Sequence, residues 1–204
     1  MQDVILRPAA RQDAGRMLAV YAPYVERTTA SWEYEVPSRP EFARRVEEHQ
    51  AAGFPWLVAE AGGAVLGYAY AGRFGARRGY DWDAEVSIYL SPDAHRRHVG
   101  KALYGALLAL LYRQGYHNCY ALVTHPNEAS ALFHKAMGFR ELARLPGAGY
   151  KAGTWLDLSY FWTPLAPAVP QPTPPVPFQA LDPGEVRRIL ARAARLITWR
   201  EEEA

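Results

Sequence analysis

The chain has 204 residues, half of them hydrophobic and 22% charged, with 23 Lys and Arg against 21 Asp and Glu. That balance fits a soluble globular protein of one domain plus an extension, and its formal charge of +2 gives no electrostatic case for nucleic acid. No apolar run approaches the roughly 20 residues that span a bilayer, and the single cysteine, Cys119, excludes an intramolecular disulfide and fits a reducing cytoplasm.

In chain order, Val4 to Arg7 reads as a short strand ended by Pro8, and a helix from about Arg11 to Glu26 carries Met17, Leu18, Tyr21 and Val25 near helical spacing. The N-terminal MQDVILRPAARQD has no long apolar run, so no secretory signal is expected. Ser31 to Val36 reads as a strand or turn. Ser38 and Glu41 have capping-box spacing and open a charged helix to about Ala52. Trp56 to Ala61 and Val65 to Gly72 pair as strands around the turn signal Gly62-Gly63. Glu85 to Leu90 is a further strand. A helix over His98 to Gln114 places Leu103, Leu107, Leu110 and Leu111 on one face and ends at Gly115. Asn118 to Val123 is a strand, Glu128 to Met137 a helix, and Phe139 to Leu145 with Trp155 to Trp162 a last strand pair. This order predicts a mixed sheet with helices on its faces.

Composition changes after Trp162. Residues 164–183 hold eight of the sixteen prolines and are expected to be an extended linker. Residues 184–204 read as an amphipathic helix with Val186, Ile189, Leu190, Ala193 and Ile197 on its apolar stripe. Docking on the same protein or on a dimer mate is favoured over a motif for a foreign partner. The organisation is therefore a domain over 1–163, a linker over 164–183 and a terminal helix over 184–204.

Two stretches carry chemistry. In EVSIYLSPDAHRRHVGK, residues 85–101, a strand runs into a basic loop at a helix start, where unpaired N–H groups and a partial positive charge suit phosphate oxygens. Arg96, Arg97 and Lys101 add charge-assisted contacts, and Gly100 permits close backbone approach. In NEASALFHKAMGF, residues 127–139, a helix opens on Asn127. The six histidines at 49, 95, 98, 117, 125 and 134 show no Cys/His ligand spacing, so no metal is expected.

Together with RPA near the start, TTASWE, PWLVAE, GYAYAG, ARRGYDW and GYKAG followed by Trp155-Leu156-Asp157, these stretches resemble the GNAT superfamily of N-acetyltransferases. Within it they resemble the phosphinothricin and methionine-sulfoximine acetyltransferases, from about Val4 to Phe161. The resemblance implies a mostly antiparallel, twisted mixed sheet flanked by helices. It implies acetyl-CoA as donor, with Ile88, Tyr89 and Leu90 pairing to the pantetheine arm, Arg96, Arg97, His98, Val99, Gly100 and Lys101 holding the pyrophosphate, and Asn127 contacting the arm near the thioester. It implies Glu85 as base through a water, His134 as a relay or orienting group, and Trp32, Arg77 and Tyr80 as acceptor contacts, with Lys151 adding charge. Two positions depart from the family loop: His95 stands where Arg or Gln is usual, and His98 where Gly is usual. Binding is expected to survive both.

Resemblance thus implies acetyl transfer to the α-amine of a small amino-acid-like acceptor by direct attack in a ternary complex, in a homodimeric resistance enzyme. Peptide or protein N-terminal acetylation is one alternative. A CoA-binding sensor or interaction module without catalysis is another. An acyl-Cys119 route lacks an adjacent base and is disfavoured.

Overall fold

Strand β2 (Trp56–Ala61) sets the layering. Its residues point alternately to opposite faces, and both faces are buried: Leu57, Ala59 and Ala61 join one core, Trp56 and Val58 the other. A computed structural model describes residues 4–199. Around β2 lie β1 (Ile5–Pro8), β3 (Ala64–Arg73), β4 (Asp83–Leu90), β5 (Asn118–His125), β6 (Arg140–Lys151) and β7 (Thr154–Pro164). They form one sheet in the order β1-β2-β3-β4-β5-β7-β6, with every neighbour antiparallel except β4 and β5.

Helices α1 (Ala14–Arg27) and α2 (Arg39–Ala51) cover one face through Met17, Tyr21, Val25, Phe42 and Val46. The other face carries α3 (Val99–Gln114), on which Leu103, Leu107, Leu110 and Leu111 are wholly buried. Helix α4 (Glu128–Ala136) flanks β5. At the β2–β3 hairpin, Gly62 and Gly63 have φ of 55° and 81°, the pair of positive angles that a two-residue turn of this twist requires. Ser38 caps α2 by accepting the Glu41 N–H at 3.3 Å.

Residues 31–36, read as a strand or turn, form bends. Two stretches differ from the sequence expectation. Strand β6 continues past Leu145 to Lys151, because a register shift between Leu145 and Gly149 lets Pro146 and Gly147 bulge out, and the Gly147 N–H donates to Asp157 at 2.9 Å. The terminal helix α5 spans Pro183–Ala194 only. Beyond it the chain turns so that the Thr198 N–H donates to the Arg97 carbonyl at 3.1 Å. Residues 200–204 of the expected helix lie outside the described residues.

The proline-rich stretch crosses the body as a strap. Buried Gln114, at the end of α3, donates through Nε2 to the carbonyls of Gly53 and Val176, each at 2.8 Å. The Val176 N–H returns to the Gln114 carbonyl at 2.7 Å, and the Phe178 N–H to that of Gly53 at 2.8 Å. Gly53 has φ of 87°, and a Cβ there would lie 3.1 Å from Pro177, so a side chain would be strained and would push the strap away. The strap delivers α5, capped by Asp182, onto α3 and β1, where Leu190 and Ala193 are buried. The apolar stripe read from the sequence thus docks on its own chain.

Replacing Gln114 by Ala removes the donor to two carbonyls and opens a small cavity. We expect a stability loss of about 2–3 kcal/mol in urea unfolding, with faster proteolysis in the strap. A loss below about 0.5 kcal/mol, the scatter of ordinary surface changes, would show that Gln114 does not anchor the strap.

Candidate active site

The site begins where the sheet stops pairing. Strands β4 and β5 share three parallel register pairs, ending at Glu85 and Tyr120. Beyond that pair each strand is held only on its far side: β4 stays registered with β3 to Leu90, and β5 with β7 to His125. A cavity of about 710 Å³ opens between them. Its walls are residues 86–90 of β4, 121–124 of β5, one side of α4, and His95 and Arg96. On this side of β4 the backbone N–H and C=O groups have no strand partner, which leaves a free sheet edge for an amide-bearing chain. At Leu90 the edge is closed: the Tyr24 hydroxyl donates to the Leu90 carbonyl at 2.7 Å and accepts its N–H at 3.3 Å. The pantetheine-pairing edge expected over residues 88–90 is therefore open at Ile88 and occupied at Leu90, while the backbone groups of Tyr89 face β3. The Tyr89 ring packs edge-on against Tyr21 at 4.8 Å and Tyr24 at 5.2 Å.

At one end of the cavity stands the N-terminus of α3. Its first N–H groups have no intrahelical partner, and the macrodipole adds partial positive charge. His98 caps this helix with φ of 60° and ψ of 9°, and Arg96 also has φ of 60°. Both occupy the left-handed region that glycine enters freely and other residues enter at a cost. Arg96 lines the cavity. Arg97 instead turns its guanidinium over the Trp199 ring, 4.7 Å from the centroid. Val99 is wholly buried in the core, so only its backbone faces the loop. Lys101 is exposed. Asn127 caps α4, its Oδ1 accepting the Ser130 N–H at 3.1 Å, which leaves the side-chain amide nitrogen of this cavity-lining residue for a ligand.

Glu85 and His134 differ in surroundings. Glu85 is half-buried at the last shared pair of β4 and β5, and burial raises its carboxyl pKa above the ordinary 4.5. In the loop before β4, Arg78 approaches Asp81 at 3.8 Å, and Arg77 is exposed. Across β3, the residue facing Glu85 is Gly72. A Cβ on Gly72 would meet the His49 ring at 3.2 Å, so the glycine leaves space for this imidazole beside the carboxylate's strand. His134 lines the cavity and is 4% exposed. Its Nδ1 lies 2.8 Å from the Ser130 carbonyl and its Nε2 2.9 Å from the Tyr104 hydroxyl. Since the carbonyl can only accept, Nδ1 carries the hydrogen and Nε2 accepts from Tyr104. Burial also lowers the imidazole pKa below 6.5, so the ring is neutral at pH 7.

Tyr104, Tyr24 and His49 were not picked out from sequence. The one available signal was a hydroxyl-bearing residue, Tyr104, inside the leucine face of α3. The three expected acceptor contacts do not line the cavity. Trp32 packs its ring on Gly149, where a Cβ would come within 2.5 Å. Arg77 and Tyr80 belong to an exposed loop, tied to the sheet through Tyr80 against Phe74 at 5.7 Å and Phe74 stacked on Tyr120 at 4.1 Å. Lys151, expected to add charge, is buried and donates to the carbonyls of Val25 and Ser31 at 2.8 and 2.6 Å. Its cation is used inside the fold. Among the described residues, no group of three or more His, Cys, Asp or Glu is placed to hold a metal.

His134 sets one pH dependence. With the folded pKa below 6.5, the unfolded state binds more protons as pH falls through that window, so stability falls with it. We expect the thermal midpoint of His134→Phe to fall less steeply than that of the wild type below pH 6.5. Parallel curves would place the titration elsewhere.

A family model for the acetyltransferase (GNAT) domain matches residues 6–159. A phosphinothricin N-acetyltransferase of Streptomyces viridochromogenes is 36% identical over 174 residues, 85% of this chain and 94% of that protein. An L-methionine sulfoximine/L-methionine sulfone acetyltransferase of Salmonella typhimurium is 31% identical over 155 residues, covering 76% of this chain and 91% of that protein. Among solved structures, a GNAT superfamily phosphinothricin acetyltransferase of Sinorhizobium meliloti in complex with AcCoA superposes with a TM-score of 0.80 at 34% identity, over 85% of this chain and 95% of that one. The chain therefore belongs to the GNAT acetyltransferases.

Proposed function

We propose that the protein transfers acetyl from acetyl-CoA to the α-amine of a small amino-acid-like acceptor of the phosphinothricin or methionine sulfoximine type, by direct attack in a ternary complex. The observation that carries this reading is the parting of β4 and β5: Glu85, a half-buried carboxylate of raised pKa, stands at their last shared pair, and the cavity that opens beyond that pair is walled in part by Arg96 of the basic loop before α3. The relatives' names supply the acceptor class.

In this reading the donor lies along the open edge of β4, pairing with the backbone of Ile88 and passing beside Tyr89, with its pyrophosphate over the loop at 96–101 and the Asn127 amide near the thioester. The acceptor must lose a proton before it attacks, since an α-ammonium with a pKa near ~8 is mostly protonated at neutral pH. Glu85 accepts that proton through one water, and the raised pKa makes it a stronger base than an ordinary carboxylate. The amine nitrogen then bonds to the thioester carbon, and collapse of the tetrahedral adduct breaks the C–S bond and expels CoA thiolate, which takes up a proton. Neutral His134, fixed between Ser130 and Tyr104, orients groups at the cavity wall. Cys119 is no competitor as a nucleophile, because it is wholly buried and burial pushes its thiol pKa up.

Trp32, Arg77 and Tyr80 stand outside the cavity as described, so in this proposal they meet the acceptor's polar head at its rim. An Arg guanidinium suits a carboxylate or phosphinate there. We also propose a cytoplasmic homodimer with a detoxifying role. Exposed Leu142, Leu145, Tyr150 and Trp155 on β6 and β7 support self-association.

The deciding experiment follows thiol release from acetyl-CoA against phosphinothricin, methionine sulfoximine, methionine sulfone, common amino acids, polyamines and an N-terminal peptide. We expect saturable turnover with one of the first three. Glu85→Gln should lower kcat by roughly 10²-fold or more, the usual scale for a general base, with acetyl-CoA binding retained. The wild-type rate should fall as the pH drops through a pKa above 4.5, and this limb should vanish in the variant. Turnover with the peptide alone would move the assignment to N-terminal acetylation. Binding without turnover on any acceptor would favour a sensor.

A further inference from the structure

The chain beyond α5 returns to the donor loop. The Thr198 N–H donates to the Arg97 carbonyl at 3.1 Å. Its hydroxyl lies 3.4 Å from His98 Nδ1, and the Trp199 ring lies 4.7 Å from the Arg97 guanidinium carbon. Three contacts of different kinds thus meet at one dipeptide, Arg97-His98. That dipeptide leads into α3 and contains the residue with φ of 60° and ψ of 9°. In a histidine this conformation is disfavoured relative to right-handed alternatives, so the loop needs an external restraint to hold it.

The bond to the Arg97 carbonyl acts on the relevant degree of freedom. A trans peptide points its C=O and N–H in opposite directions. Fixing the Arg97 carbonyl toward the tail therefore fixes the His98 N–H away from it. The tail itself is held by a long lever: the strap bonded to Gln114 and Gly53, and α5 seated by Leu190 and Ala193 on α3 and β1.

We propose that Thr198 and Trp199 are positioning residues for the acyl-donor loop, holding the Arg97–His98 peptide in the left-handed turn that a glycine would adopt unaided. The inference rests on the assignment of residues 96–101 to the donor pyrophosphate. It gives the proline strap and α5 a role in donor affinity.

The test uses the full chain and measures acetyl-CoA binding by calorimetry beside kcat and thermal stability. Trp199→Ala should weaken acetyl-CoA binding about fivefold, the scale of a cation–π contact, with kcat at saturating donor within about twofold. Trp199→Phe, which keeps a ring for Arg97, should restore most of the affinity. Thr198→Pro, which removes the donated N–H, should weaken binding similarly. The decisive step is the His98→Gly background, where the loop needs no brace and Trp199→Ala should cost less than about twofold. Equal losses in the two backgrounds, or a lower melting temperature with unchanged donor binding, would overturn the proposal and leave the tail a purely structural element. Arg96→Glu keeps the two failures apart. If it weakens donor binding tenfold or more while Trp199→Ala does nothing, only the brace is wrong. If Arg96→Glu also does nothing, the loop assignment fails and the brace with it.

Discussion

The candidate site depends on hydrogen bonds that β4 and β5 do not make. Beyond the Glu85–Tyr120 pair the two strands part, and the gap could not persist unless each strand were held from its other side. Strand β3 holds β4 through seven register pairs, and β7 holds β5 through eight. An open edge inside a sheet is normally an aggregation hazard. Here it is walled by α4 and by His95 and Arg96 of the loop before α3. Glu85 stands at the last pair before the strands part, and its side chain is half-buried there.

Burial then tunes each ionisable group around this opening in the direction its chemistry dictates. Glu85 becomes a stronger base and His134 a weaker one. The Cys119 thiol, on the core face of β5, moves up and out of reach of neutral pH. His134 has both ring nitrogens in use, between the Ser130 carbonyl and the Tyr104 hydroxyl. Accepting a proton at Nε2 would break the bond from Tyr104 in an apolar surrounding of Phe133, Phe139 and Phe161. Under the proposed mechanism these surroundings suit Glu85 to proton acceptance and His134 to orientation.

What was legible in the sequence followed from periodicity and from local backbone chemistry. The leucines of α3, the Gly62-Gly63 turn and the Ser38 cap are short-range signals, and each marks its element. The basic loop and Asn127 were legible because both begin helices, where unpaired N–H groups dictate residue type. Long-range partnerships were not legible. Lys151 sits in a suggestive motif, yet its ammonium meets the carbonyls of Val25 and Ser31, more than a hundred residues away in the chain. Tyr104 looked like part of an apolar stripe because its partner, His134, lies on another helix. Strand β6 outran its expected end because a bulge can absorb Pro146 and Gly147 once β7 is there to pair with.

The C-terminal extension belongs to the same class of long-range effect. Proline-rich composition correctly indicates a segment without regular structure, but it does not say whether the segment is loose. A strap with few conformations to lose is cheap to immobilise, and a handful of backbone bonds to Gln114 and Gly53 suffices to hold it. Once held, it determines where α5 can dock, and α5 determines where Thr198 and Trp199 can reach. The distance along the chain from Gln114 to Trp199 is large, but both ends of that route rest on α3: Gln114 closes the helix, and the tail meets the loop that begins it. One helix therefore carries the anchor of the extension at its end and the basic loop at its start, which is the physical route by which the proposed brace would act.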